Sequence, residues 1–277
     1  MPDLPIDAPA PPHADEAALH ALHLRALRAG RSRQLVAQGD AEGRLWDAPR
    51  GCIVQRVYPG PAGSPVPAAE IRALLADDGR PLAWWQRVVA APGAVARALP
   101  YAIAHQSVYA IEVADDDPAA ACAQAREQVQ AYLAFCAESF IDELALRAGH
   151  DPLAFRRTLL PAGSSPRRLL EAVAEGAGWG APLPRGSGRG IALAQNAGVL
   201  VAEVVEASVD ARGQAAVHRV VTMDTDGAVR CAGSTRKRLA WPTLAAAFAN
   251  ALFAASGQRM RTLPAIEVMP LPALALS

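Results

Sequence analysis

The feature that most constrains the fold is a valine-rich pair of apolar runs, 200–209 and 217–223, joined by the turn residues Asp210-Ala211-Arg212-Gly213. Turn chemistry between two apolar runs specifies a β-hairpin. A second such unit lies far upstream. There Ile71, Ala73 and Leu75 alternate with other positions, Asp77-Asp78-Gly79 supplies the turn, and 81–89 returns. Two hairpins more than a hundred residues apart need something between them, and the sequence supplies helices.

Asp117-Pro118 offers a helix start, since proline at the first helical position forgoes no hydrogen bond. Val129, Leu133, Cys136, Phe140 and Leu144 then recur at helical spacing, and Gly149 ends the run. A short helix begins at Asp151-Pro152 and stops before Pro161. Another starts at Ser165-Pro166 and ends at Gly178. Near the C-terminus, 243–256 predicts a helix with Leu244, Phe248, Ala251 and Leu252 on one face, closed by Gly257. Residues 266–269 form a candidate last strand. Upstream, 1–14 reads as a flexible tail, and 15–38 as a helix carrying Leu19, Leu22, Leu24, Leu27 and Leu35. A loop-rich stretch follows to residue 65, broken by a short candidate strand at Cys52-Ile53-Val54. The expected class is therefore α+β, with β-hairpins packed against helices. Its expected divisions are 1–14, a helix and loop-rich region over 15–66, and a main domain over 67–277.

Composition narrows the function. Lys+Arg and Asp+Glu both number 27, so the net charge is zero and long-range attraction to nucleic acid or an anionic membrane is absent. Arg25, Arg28, Arg31 and Arg33 are expected on a solvated helix face. Cysteines 52, 122, 136 and 231 form no C-x-x-C pair and show no metal-ligand spacing. The N-terminus lacks the pattern of a secretory signal, no run is long enough to span a bilayer, and a cytoplasmic location is expected.

Each candidate chemical site has an ordinary reading. The cluster Gly186-Ser187-Gly188-Arg189-Gly190 precedes a strand rather than a helix, so it reads as a plain loop instead of a phosphate cradle. Glu138 and Asp142, four residues apart on one helix face, could suit acid–base work, but a solvated face is expected. The six histidines form no metal-binding pattern. Ser139 and Ser187 lack the glycine-flanked elbow of hydrolases.

Several segments, taken in order, resemble the molybdopterin-binding large subunit of the xanthine dehydrogenase/aldehyde oxidase family, most nearly its isoquinoline 1-oxidoreductase beta-subunit branch. They are Asp77-Asp-Gly-Arg-Pro-Leu-Ala-Trp84, Leu99-Pro-Tyr-Ala-Ile103, Ala137-Glu-Ser-Phe-Ile-Asp-Glu-Leu-Ala145, Gly149-His-Asp-Pro-Leu-Ala-Phe-Arg-Arg157, Ala177-Gly-Trp-Gly180 and Gly188-Arg-Gly-Ile-Ala192. Val201-Ala-Glu-Val-Val-Glu206, Val217-His-Arg-Val-Val221 and the terminal 242–264 extend the likeness. The resemblance implies part of a molybdenum-cofactor-binding domain. In that family a glutamate ahead of the terminal helix serves as the base. Here its place falls at Arg238, whose guanidinium cannot accept a proton. Of the cofactor-contacting run after the strand at Gly190, only Gly198 is retained, making it the one candidate cofactor-binding residue. No catalytic and no metal-binding residue is assigned. The expectation is a shortened, degenerate and non-catalytic relative, without cofactor, serving as a binding or assembly partner of an iron–sulfur or large subunit. The alternative is a molybdopterin-dependent oxidoreductase subunit for aldehydes or N-heterocycles, completed by another chain.

Overall fold

The computed structural model describes residues 31–48, 52–59, 68–90, 98–112, 123–196, 199–225, 230–231 and 242–261. Within them the chain is α+β, as the two hairpins and the helical block require. Nine strands form two sheets: β1 (Arg31–Gln38), β2 (Ile53–Pro59), β3 (Ala68–Leu75), β4 (Pro81–Ala90), β5 (His105–Glu112), β6 (Ser187–Asn196), β7 (Val199–Val209), β8 (Ala215–Asp224) and β9 (Arg230–Cys231). Five helices accompany them: α1 (Ala41–Trp46), α2 (Ala123–Arg147), α3 (Pro152–Thr158), α4 (Ser165–Ala177) and α5 (Pro242–Ser256).

The first sheet has the order β1-β5-β4-β3-β2. Its β3–β4 hairpin turns where Asp77-Asp78-Gly79 lie, with Gly79 at φ 80° and Ala76 N–H donating to Arg80 O. β4 and β5 run parallel, and both edge strands pair antiparallel. The second sheet is an antiparallel meander, β6-β7-β8-β9, whose β7–β8 hairpin falls on the expected residues.

Helix boundaries follow local chemistry. The Asp151 carboxylate accepts from the N–H groups of Leu153 and Ala154 and so starts α3. Ser164 caps α4, which ends at Gly178 in the left-handed conformation, a cost-free geometry for glycine.

α2 forms the centre of the molecule. Phe135, Cys136, Phe140, Ile141 and Leu144 pack on one side against Tyr58, Ile71, Trp84 and Ile103 of the first sheet and the loop beside it. The same core continues into Phe155 of α3, Val173 of α4, and Ile191, Leu193 and Val204 of the second sheet. A second core lies on the opposite face of that sheet, where Ala192, Val205 and Val220 meet Ala247, Phe248 and Ala251 of α5.

Three expectations are corrected. The helix over 15–38 fails at 31–38, which is β1. Those eight residues carry no apolar stripe of their own, and pairing with β5 satisfies their backbone instead. The presumed solvated helix face at Arg31 and Arg33 is likewise strand. The glycine cluster is also more than a loop. Gly186 makes the turn at φ 78°, but Ser187 already begins β6. A Cβ on Gly190 would stand 2.1 Å from Ala247 O, and one on Gly188 would stand 2.5 Å from Ala255 N. Both glycines let the β6 backbone touch that of α5. The tail at 1–14, the candidate strand at 266–269 and the proline start at Asp117-Pro118 lie outside the described residues.

Candidate functional site

The acid–base candidates on α2 are not on a solvated face. Glu138 is 1% exposed and Asp142 4%, in a helix segment that is buried on nearly all sides from Tyr132 to Ala145. The correction has a legible cause: residues 132–145 are apolar almost all round, and a helix of that composition lies in a core. Carboxylates there must be paired.

Arg156 on α3 supplies the pairing and is itself 0% exposed. Its Nε donates to Glu138 Oε2 at 3.1 Å and its Nη1 to Asp142 Oδ1 at 3.3 Å. Its other donors reach the carbonyls of Glu138 and Pro152. Arg259, just beyond α5, closes the far side by donating to Asp142 Oδ2 at 3.0 Å and Asn250 Oδ1 at 2.9 Å. One residue on, Glu143 receives Arg56 and Arg261.

Glu138 collects two further donors. Tyr101 O–H donates at 2.8 Å, and the Leu193 N–H of β6 bonds the same carboxyl. Burial pushes its pKa up, while Arg156, Tyr101 and Leu193 pull against that shift. Burial also pushes Glu143 up, but Arg261 and Arg56 outweigh it and hold the carboxyl below its ordinary value. Asn250 Nδ2 donates to Ile191 O at 3.2 Å, so α2 and α5 together satisfy one carbonyl and one N–H on the outer edge of β6.

A cleft of about 60 Å³ lies beside this network, between the two sheets. Gln86 of β4, Val108 of β5, Leu133 and Glu138 of α2, and Leu193 of β6 line it. Leu99, Pro100 and Gln195, each partly exposed, form its rim.

Glu203 on β7 is a buried carboxyl of another kind. Thr222 O–H donates to it at 2.8 Å and Thr243, in the first turn of α5, donates to its other oxygen. Burial pushes its pKa up to about 7, against the two hydroxyls. Sequence reasoning passed over it as one position in a valine-rich strand. Its signal was an acidic residue in the alternation phase of Val205 and Ala207, which belong to the second core.

The structure does not gather the remaining sequence candidates into one site. His105 Nδ1 accepts from Asp40 N–H at 2.9 Å, His150 stacks on Phe155, and His218 bonds Ser208. Ser139 is buried in α2, and Ser187 opens β6. No group of three or more metal-ligating side chains occurs among the described residues. Gly198 and Arg238, which the family resemblance singles out, lie outside the described residues. A pterin dinucleotide would need far more room than this cleft offers, since ligand sites usually enclose roughly 300–1,000 Å³.

No protein-family model and no curated protein matches the chain. Among solved structures, it is similar to the aldehyde oxidoreductase of Desulfovibrio gigas at 17% identity, over 55% of this chain and 21% of that one, with a TM-score of 0.31. It is also similar to the aldehyde oxidoreductase of Desulfovibrio desulfuricans ATCC 27774 at 16% identity, over 55% and 20%, with the same TM-score. The likeness is distant. The chain spans about a fifth of either structure, so its function has to be argued from its own residues.

Proposed function

We propose that this chain is a non-catalytic binding domain, a degenerate relative of the molybdenum hydroxylase large subunit that associates with an oxidoreductase. One observation carries the reading. Glu138, the most deeply buried acid beside the inter-sheet cleft, accepts from Tyr101, Arg156 and Leu193 together. With three fixed donors on its roughly four acceptor sites and only 1% of the residue exposed, this carboxylate is held within the fold rather than presented to a substrate. The resemblance adds that Arg238 stands at the place of the family's base, where a guanidinium cannot serve. Molybdenum and pterin content of the full chain, purified from its native host, tests the reading. Both are expected far below one per chain, and stoichiometric molybdenum would overturn it.

A second reading, the subunit of an aldehyde or N-heterocycle hydroxylase completed by another chain, draws support from Glu203. Its carboxyl has no guanidinium partner among the described residues, and burial pushes its pKa up to about 7; at 2% exposure it would serve as a base only once the partner chain opened a path to it. Native co-purification with an iron–sulfur partner, followed by an aldehyde turnover assay with and without Glu203→Gln, separates the two. Turnover lost on that substitution favours the enzyme. A complex inactive towards aldehydes and N-heterocycles favours the binding domain.

A further inference from the structure

The inter-sheet cleft holds one polar group that the fold leaves without a partner. Gln86 is 3% exposed on the inner face of β4. Its Oε1 accepts from Trp84 Nε1 at 3.4 Å, which turns the amide so that Nε2 is its free end. That nitrogen, buried in the cleft wall, has no hydrogen-bond partner. The neighbouring Gln106, by contrast, is fully used, accepting from Leu99 N–H and donating to the carbonyls of Tyr101 and Ile103. Folded proteins rarely leave a buried donor idle, and such a group beside a cleft is where an acceptor, a water or a ligand atom, is accommodated.

The surroundings define that acceptor. Val108, Leu133, Ala134 and Leu193 make apolar walls. Glu138 at the cleft is negative but matched by Arg156, so the local formal charge is zero. An anion would meet a carboxylate in a medium of low dielectric, and a cation would find that carboxylate already taken. A neutral molecule with a strong acceptor suffers neither penalty. The volume of about 60 Å³ admits a group of a few heavy atoms with its remainder at the rim.

We propose that the cleft binds the carbonyl end of a small neutral amide, its oxygen accepting from Gln86 Nε2 and its alkyl part lying against Leu133 and Leu193. This deepens the binding reading by naming a ligand class. Metal content and amide binding are read separately, so either can fail alone.

The test titrates the ¹⁵N-labelled full chain with propionamide and follows the Gln86 side-chain NH₂ resonances, assigned by their loss in Gln86→Met. A saturable shift is expected with propionamide and none with propionate at equal concentration. Ala134→Leu, which fills the cleft from α2, should abolish the shift. Gln86→Met should weaken binding about tenfold, as followed on the Leu133 and Leu193 methyls; it also takes the acceptor from the buried Trp84 Nε1, so some fall in Tm accompanies it and is read separately from binding. A shift that never saturates, equal response to propionate, or undiminished binding by Gln86→Met would each sink the proposal. If Gln86→Met does not fold, the propionamide and propionate titrations of the unaltered chain decide.

Discussion

Arg156 and Glu203 are the two residues whose replacement reports most directly on the interior. Arg156→Met leaves Glu138 without a cationic partner and Asp142 with Arg259 alone. Unpaired buried charge of this kind costs about 3–5 kcal/mol, which urea unfolding would register as a large fall in midpoint. Glu203 acts through protons. Its folded pKa of about 7 lies above its ordinary 4.5, so the folded chain binds the extra proton between those values. Its contribution is complete below pH 4.5, shrinks as pH rises through 7, and is then gone. The expected loss is about 3 kcal/mol over that window. Subtracting the pH–stability curve of Glu203→Gln from that of the parent isolates the effect, and parallel curves would refute it. Neither residue was legible as important in the sequence. Arg156 lies 18 positions from Glu138, and nothing local links them. Glu203 differs from its valine neighbours only by being an acid in the inward phase of a strand.

At the scale of elements, local chemistry was readable where it was sufficient. The β3–β4 and β7–β8 hairpins fall on their turn residues, and α3 and α4 start at their proline-bearing caps and stop where expected. What failed depends on partners distant in sequence. β1 takes its conformation from β5, some 70 residues away, and β5 lies parallel to β4, a pairing that no short turn announces. The short α1, capped by Asp40, sits inside what reads as loop, because six residues are too few to show a period. The glycines of β6 carry an element-scale prediction. Gly190→Ala would drive a methyl group into the α5 backbone and should cost at least about 3 kcal/mol. Hydrogen exchange of α5 amides should speed up with it. Gly163→Ala, at a site with nothing within 4 Å, should cost only about 1–2 kcal/mol from its positive φ.

Across the whole molecule, α2 is the member that both sheets share, and its buried acids tie together parts of the chain that are far apart in sequence. Arg259 and Arg261 reach back over more than a hundred residues to Asp142 and Glu143. Through Glu138 and Asn250 the same assembly ties up the Leu193 N–H and the Ile191 carbonyl on the outer rail of β6, a ten-residue strand that has no neighbouring strand on that side among the described residues. An uncovered rail is a template on which a second copy can add, and then a third. Glu138→Ala would therefore do more than melt the protein: on gentle warming it should seed filaments, visible as rising light scattering and thioflavin fluorescence. A variant that lost stability but stayed monomeric would disprove this. The acid that looks placed for chemistry would then be remembered as a guard against polymerisation.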